Sequence, residues 1–217
     1  MKHRMPAGAA AFLAALLLNS CFGANMDISL NQNGGGVISL EYRISKSLDS
    51  IGRLDGNERW NTIPVGRADF ERSIARLPDI RLLSFGSKEN GTDILIEAKM
   101  EFVSLNGLLA FLDASGRRAA LSGDARSGRL LLTLSDGKKA AGEDLEKLIL
   151  GISGDYSIKL GMSFPGEGSL AISDLKGAPL SPVYAGSSKG KKVSCAFPLA
   201  DVLLSPGGIN VEFAWQR

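Results

Sequence analysis

The chain has 217 residues, 44% hydrophobic and 22% charged, with two Cys and a single His, enough to bury a sizeable core in one ordinary globular domain. Those proportions exclude a disordered chain, which lacks the aliphatic content, and a disulfide scaffold, which needs far more Cys. The formal charge of +2 falls to zero once Lys2 and Arg4 are set aside, because 23 basic residues then face 23 acidic ones; a neutral chain has no overall attraction for nucleic acid.

The first predicted element is a leader. Lys2, His3 and Arg4 form a basic start, and Ala7 to Leu18 are apolar throughout. Twelve helical residues reach about 18 Å, short of the roughly 30 Å of a hydrocarbon core, so the run reads as a signal segment rather than a span. The sequence then continues Leu18-Asn19-Ser20-Cys21, which resembles the bacterial lipobox; Asn19 departs from the strict pattern in the way looser lipoboxes, such as those of spirochaetes, tolerate. The resemblance implies a signal peptide over 1–20 with cleavage after Ser20. It also implies a thiol-diacylated, palmitate-type anchor on Cys21 and a localisation on a membrane facing the periplasm or cell exterior. Residues 21–25 are then a lipidated tether and 26–217 a single domain. In the alternative, ordinary secretion, the cut falls after Gly23 and Cys21 is incidental. Two or three acyl chains, at about 0.8 kcal/mol per buried CH₂, hold a domain of this size on a bilayer. With Cys21 lipidated, Cys195 has no partner for an intramolecular disulfide, and its alternation with apolar neighbours reads as a core position.

Alternation with period two predicts the strands. In chain order, Ile28/Leu30 begin a short strand, and Ile38, Leu40, Tyr42 and Ile44 oppose Ser39, Glu41 and Arg43. Ile80 to Phe85 follow, then Ile94, Ile96, Ala98, Met100 and Phe102 against Asp93, Glu97, Lys99 and Glu101. Further strands are Leu130 to Leu134, Ile158 to Phe164, and Ile209 to Trp215. Asn31-Gln32-Asn33-Gly34 and Lys88-Glu89-Asn90-Gly91 punctuate hairpins. Strands with one apolar face belong to antiparallel sheets. Three segments carry a helical stripe instead: Phe70, Ile74 and Leu77 up to Pro78; Leu105, Leu108, Leu109 and Leu112 after a Ser104 cap; and Leu145, Leu148, Ile149 and Ile152 after Glu143 and Asp144. The expected fold class is α+β: a mainly antiparallel sheet, flat or curved, with about three helices packed on one face. Residues 166–192 read as one long irregular stretch that could hide a short strand at Leu170 to Ile172.

Met26-Asp27-Ile28-Ser29-Leu30, a Gly-rich turn and a second strand open the domain. Tyr156 to Leu160 then run into Phe164-Pro165-Gly166, and Phe213-Ala214-Trp215 end the closing strand. Together these are similar to the LppM-type lipoprotein domain of envelope proteins. The resemblance implies a surface-anchored module, with binding of amphiphilic envelope molecules proposed for the mycobacterial members. Those members can carry a C-terminal span; here the expectation is that Cys21 is the only anchor.

Catalytic motifs fail on inspection. Gly186-Ser187-Ser188-Lys189-Gly190 spells a nucleophile elbow, but without His in the mature chain Ser188 has no triad. Ala185 to Lys191 nearly spells a P-loop, but Ala185 stands in place of the first Gly and Lys192 in place of the Ser/Thr that holds Mg²⁺. Ser135-Asp136-Gly137-Lys138 has the spacing of penicillin-recognising enzymes without their companion motifs. Zinc and copper sites lack ligands, and Glu143, Asp144 and Glu146 suit a helix start better than calcium. Asn90-Gly91-Thr92 is a glycosylation triplet that a hairpin turn already explains. Lys189, Lys191 and Lys192 could touch anionic headgroups, at about 1 kcal/mol per charge, or form a solvated loop.

The expected function is that of a non-enzymatic, lipid-anchored envelope protein with no metal or cofactor, holding an amphiphilic or lipid ligand between its helices and the sheet. The alternative is an envelope scaffold or protein-interaction module whose apolar stripes fill a solid core. An enzyme built on paired carboxylates, which leave no trace in sequence, comes third.

Overall fold

Each alternating segment has one face to bury and a backbone ladder to complete, and the computed structural model satisfies both with a ten-stranded, curled half-barrel sheet. It describes residues 22–46, 64–113, 115–137, 146–147, 150–151, 153, 156–180 and 184–217. The elements are β1 (Phe22–Leu30), β2 (Gly36–Ser45), α1 (Arg67–Ile74), β3 (Ile80–Asn90), β4 (Asp93–Phe102), α2 (Leu105–Leu112), β5 (Ala119–Gly123), β6 (Ser127–Ser135), β7 (Ser157–Ser173), β8 (Ala185–Ser187), β9 (Lys189–Pro198), α3 (Leu199–Leu204) and β10 (Ile209–Gln216). The strand order is β3-β4-β2-β1-β7-β10-β6-β5, with β9 added on β7 and β8 on β9. β1 and β7 run parallel, and the other described pairs run antiparallel.

β7 joins two sub-sheets. Its first part, 158–163, lies beside β1, and its last part, 167–173, beside β10. Between them the ladder to β9 shifts register from Ser163 to Gly168, a bulge where Pro165 does no harm for want of an N–H. Phe164 folds over this bulge so closely that a Cβ on Gly168 would lie 2.0 Å from its ring. The ring stacks on Trp215 at 6.0 Å.

The alternation puts Met26, Ile38, Tyr42, Ile96, Met100, Phe102, Leu132, Met162, Phe197, Val211 and Phe213 in one continuous core. The helices complete it with Phe70 from α1, Leu108, Phe111 and Leu112 from α2, and Leu199 and Val202 from α3. Each fully buried side chain of this size contributes about 1.5–3 kcal/mol relative to exposure. Ser104 caps α2 by accepting from the Gly107 amide at 3.0 Å, and its hydroxyl donates to Asp79. After α2, the buried Asp113 carboxylate accepts from the Ser115 amide and hydroxyl and from the Arg118 and Ala119 amides. Burial alone would raise its carboxyl, but those hydrogen bonds outweigh it and bring the pKa down to about 2.

Several expectations need correction. The stretch 166–192 is largely strand. β7 runs unbroken to Ser173 and absorbs the short strand expected at Leu170, and β9 begins at Lys189. Pro165, Gly166 and the bulge shift the phase of the alternation there, which hides the strand from a period-two reading. Helix α3 has six residues, too short to show a period, and was not expected. Of the third expected helix, Glu146, Lys147, Leu150, Gly151 and Ser153 are helical, whereas Leu145, Leu148, Ile149 and Ile152 lie outside the described residues. Residues 22–25, expected as tether, are already paired with 44–41 in β1.

Candidate binding groove

On the face away from the core, a groove of about 810 Å³ crosses five strands. Its floor follows from register. Ser122 of β5 lies opposite Arg129 of β6, which pairs with Ala214 of β10, which pairs with Ser169 of β7, which pairs with Lys189 of β9. Residues paired in this way point to the same side of a sheet. The next row is Gly123, Gly128, Trp215, Gly168 and Gly190. Its one large side chain turns inward, where a Cβ on Gly128 would lie 2.4 Å from the indole. The Trp215 Nε1–H donates to the Asp124 carbonyl at 3.0 Å, which fixes the ring under the floor. Between Arg129 and Lys189 the outward row therefore offers only backbone, the Ala214 methyl and the Ser169 hydroxyl, with Ser122 on the far side of Arg129.

Charge sits within the row at Arg129 and at its end at Lys189. Arg129 makes a loose, exposed contact with Glu212 at 3.9 Å, and such pairs contribute little. Lys189 is exposed and has no carboxylate partner among the described residues. Glu167 is the one carboxylate in the lining, where glycoside hydrolysis uses two. The groove can offer hydroxyls, amides and two cations to a polar ligand; it offers no aromatic face and no enclosed apolar channel. A second hollow, of about 180 Å³, lies over β1, β2 and β4 and is lined by Asp27, Ser39, Glu97 and Lys99 among others.

This placement differs from the expected one between helices and sheet. The core lies on that side, and the groove on the opposite face of the sheet. Cys21 and Ser20 lie outside the described residues. Cys195 is buried with a free thiol, and burial pushes its pKa up to about 12, the behaviour of a packed core residue. Ser188 sits in the turn between β8 and β9, where its carbonyl accepts from the Leu170 amide at 2.9 Å; a nucleophile elbow would need a strand-to-helix turn. Of the three lysines expected as a cluster, Lys189 belongs to the groove rim, Lys191 is exposed, and Lys192 reaches Asp27 at 3.0 Å. Asn90, Gly91 and Thr92 form the β3–β4 turn, with Gly91 at φ 59°. Sequence reading missed Arg129, Ser169 and Ala214. The available signal was Gly and Ser at outward positions of strands, in Ser122-Gly123, Ser127-Gly128 and Gly168-Ser169, where other strands carry charges.

No protein-family model matches the chain, and no curated protein matches its sequence. Among solved structures, the NMR structure of the folded domain of LppM from Mycobacterium tuberculosis is similar at a TM-score of 0.43 and 12% identity, over 100% of this chain and 95% of that one. A likeness of that size carries no argument about ligand or activity. Among the described residues, no helix is long and apolar enough to cross a membrane.

Proposed function

We propose that this chain is a non-enzymatic envelope lipoprotein, held on a membrane through Cys21, whose outer groove binds the polar part of an amphiphilic ligand. The observation that carries the reading is the groove itself, about 810 Å³ of open space with small Ser, Ala and Gly residues along its floor between two cations, Arg129 and Lys189. Pockets for small molecules span some 300–1,000 Å³, so the space suits a headgroup-sized molecule. The Ser, Gly and cation lining favours a polar contact, while the apolar core packs on the other face of the sheet. The same core supports a second reading, an envelope scaffold with no ligand.

Non-denaturing mass spectrometry of the full chain, extracted in mild detergent from a bacterial membrane, separates the two. The ligand-binding reading expects an acylated chain beginning at Cys21 together with a retained, dissociable molecule. An acylated chain with no such molecule favours the scaffold, and an unacylated chain overturns the anchor.

A further inference from the structure

If Cys21 carries the anchor, as the reading above holds, the structure dictates how the domain stands on its membrane. β1 begins at Phe22, which is already paired with Ile44. Consecutive Cα atoms are 3.8 Å apart, so no flexible chain separates the anchored residue from the sheet. The strand ends level with Phe22 are fixed by register. Ser45 lies opposite Asp93, the Lys46 amide donates to the Thr92 carbonyl at 2.8 Å, and Ser157 lies opposite Pro198. One end of the half-barrel therefore has to meet the headgroups. The groove lies further along β7. Ala24 sits opposite Ile158, and β7 continues from there to Gly168 on the groove floor. The matching span on β9, Phe197 to Gly190, is seven residues, so at about 3.3 Å each the groove floor lies roughly 23 Å beyond the level of Ala24.

We infer that the end bearing Lys46, Thr92, Ser157 and Pro198 is a membrane-contact surface, and that the groove stands clear of the bilayer holding the anchor. Its ligand then reaches it through water or from an opposing surface. The near end is suited to headgroups because it is built from turns and strand ends with polar and charged side chains, including the exposed Lys46–Glu89 pair at 2.7 Å.

The test uses the full acylated chain in phosphatidylcholine–phosphatidylglycerol vesicles containing headgroup-spin-labelled phospholipid. Two single-Cys-labelled variants, Thr92→Cys and Ser122→Cys, carry a small fluorophore; Cys195 is buried and Cys21 is acylated. The inference expects loss of most of the emission at 92 and no loss at 122. Equal quenching at both positions, stronger quenching at 122, or no quenching at either in a chain that floats with the vesicles overturns it. A chain that fails to float has no anchor, and the reading of Cys21 falls first.

Discussion

The two halves of the sheet share a core and differ on their outer faces. Over β1, β2, β3 and β4 the outward positions carry long charged side chains in cross-strand pairs, Arg43 with Asp93 and Arg81 with Glu101, around a hollow of about 180 Å³. Over β5, β6, β10 and the end of β7, the short outward residues Ser122, Ala214 and Ser169 sit among Arg129, Glu212 and Glu167, and the inward row beside them is mostly Gly. Both halves obey the same alternation, so folding demands alone do not account for the difference. Small outward residues cost strand propensity without helping the core. What they leave is open surface, which is why the second half is the candidate site.

The comparison can be strained first at the core. Phe102 and Phe213 lie on opposite sides of the β7 junction, each 1% exposed. Truncating either to Ala is expected to cost about 3–5 kcal/mol in denaturant unfolding, with one cooperative transition in both cases. Two transitions, or a cost below about 1 kcal/mol for Phe213→Ala, would show that the halves do not share a core.

Asp113 gives the next largest effect. Its folded pKa of about 2 lies below the ordinary carboxylate value, so its contribution is fully present above about pH 4 and is lost as pH falls through about 2. Asp113→Asn is expected to lose about 2 kcal/mol at pH 7, with the gap to wild type closing between about pH 4 and pH 2 in a series of denaturation curves. A gap that stays constant over that range would contradict the account of the turn. The smallest effect belongs to the charged half. Arg81 and Glu101 are largely exposed despite a 2.6 Å contact, and Arg81→Ala is expected to cost less than about 1 kcal/mol and to vanish into noise at high salt.

These differences track what the sequence could tell. The core was legible because Ile38, Leu40, Tyr42 and Ile44 alternate without interruption, and the Ser104 cap was legible because capping is local. The continuation of β7 was hidden because Pro165, Gly166 and Gly168 break the phase of the alternation and resemble a loop. The groove was not legible at all. Ser122, Arg129, Ala214, Ser169 and Lys189 meet only through four strand registers, and register across distant strands is a tertiary fact. Lys189 was noticed for its charge, in a cluster the fold disperses.

The central claim is that recognition belongs to the bare half of the outer face. The most direct measurement compares Ala214→Trp, which fills the groove floor, with Ser39→Trp, placed on the charged half, by non-denaturing mass spectrometry of the full acylated chain. The account predicts that Ala214→Trp loses the retained molecule while Ser39→Trp keeps it at the wild-type level. Retention by Ala214→Trp, with loss in Ser39→Trp, would contradict it.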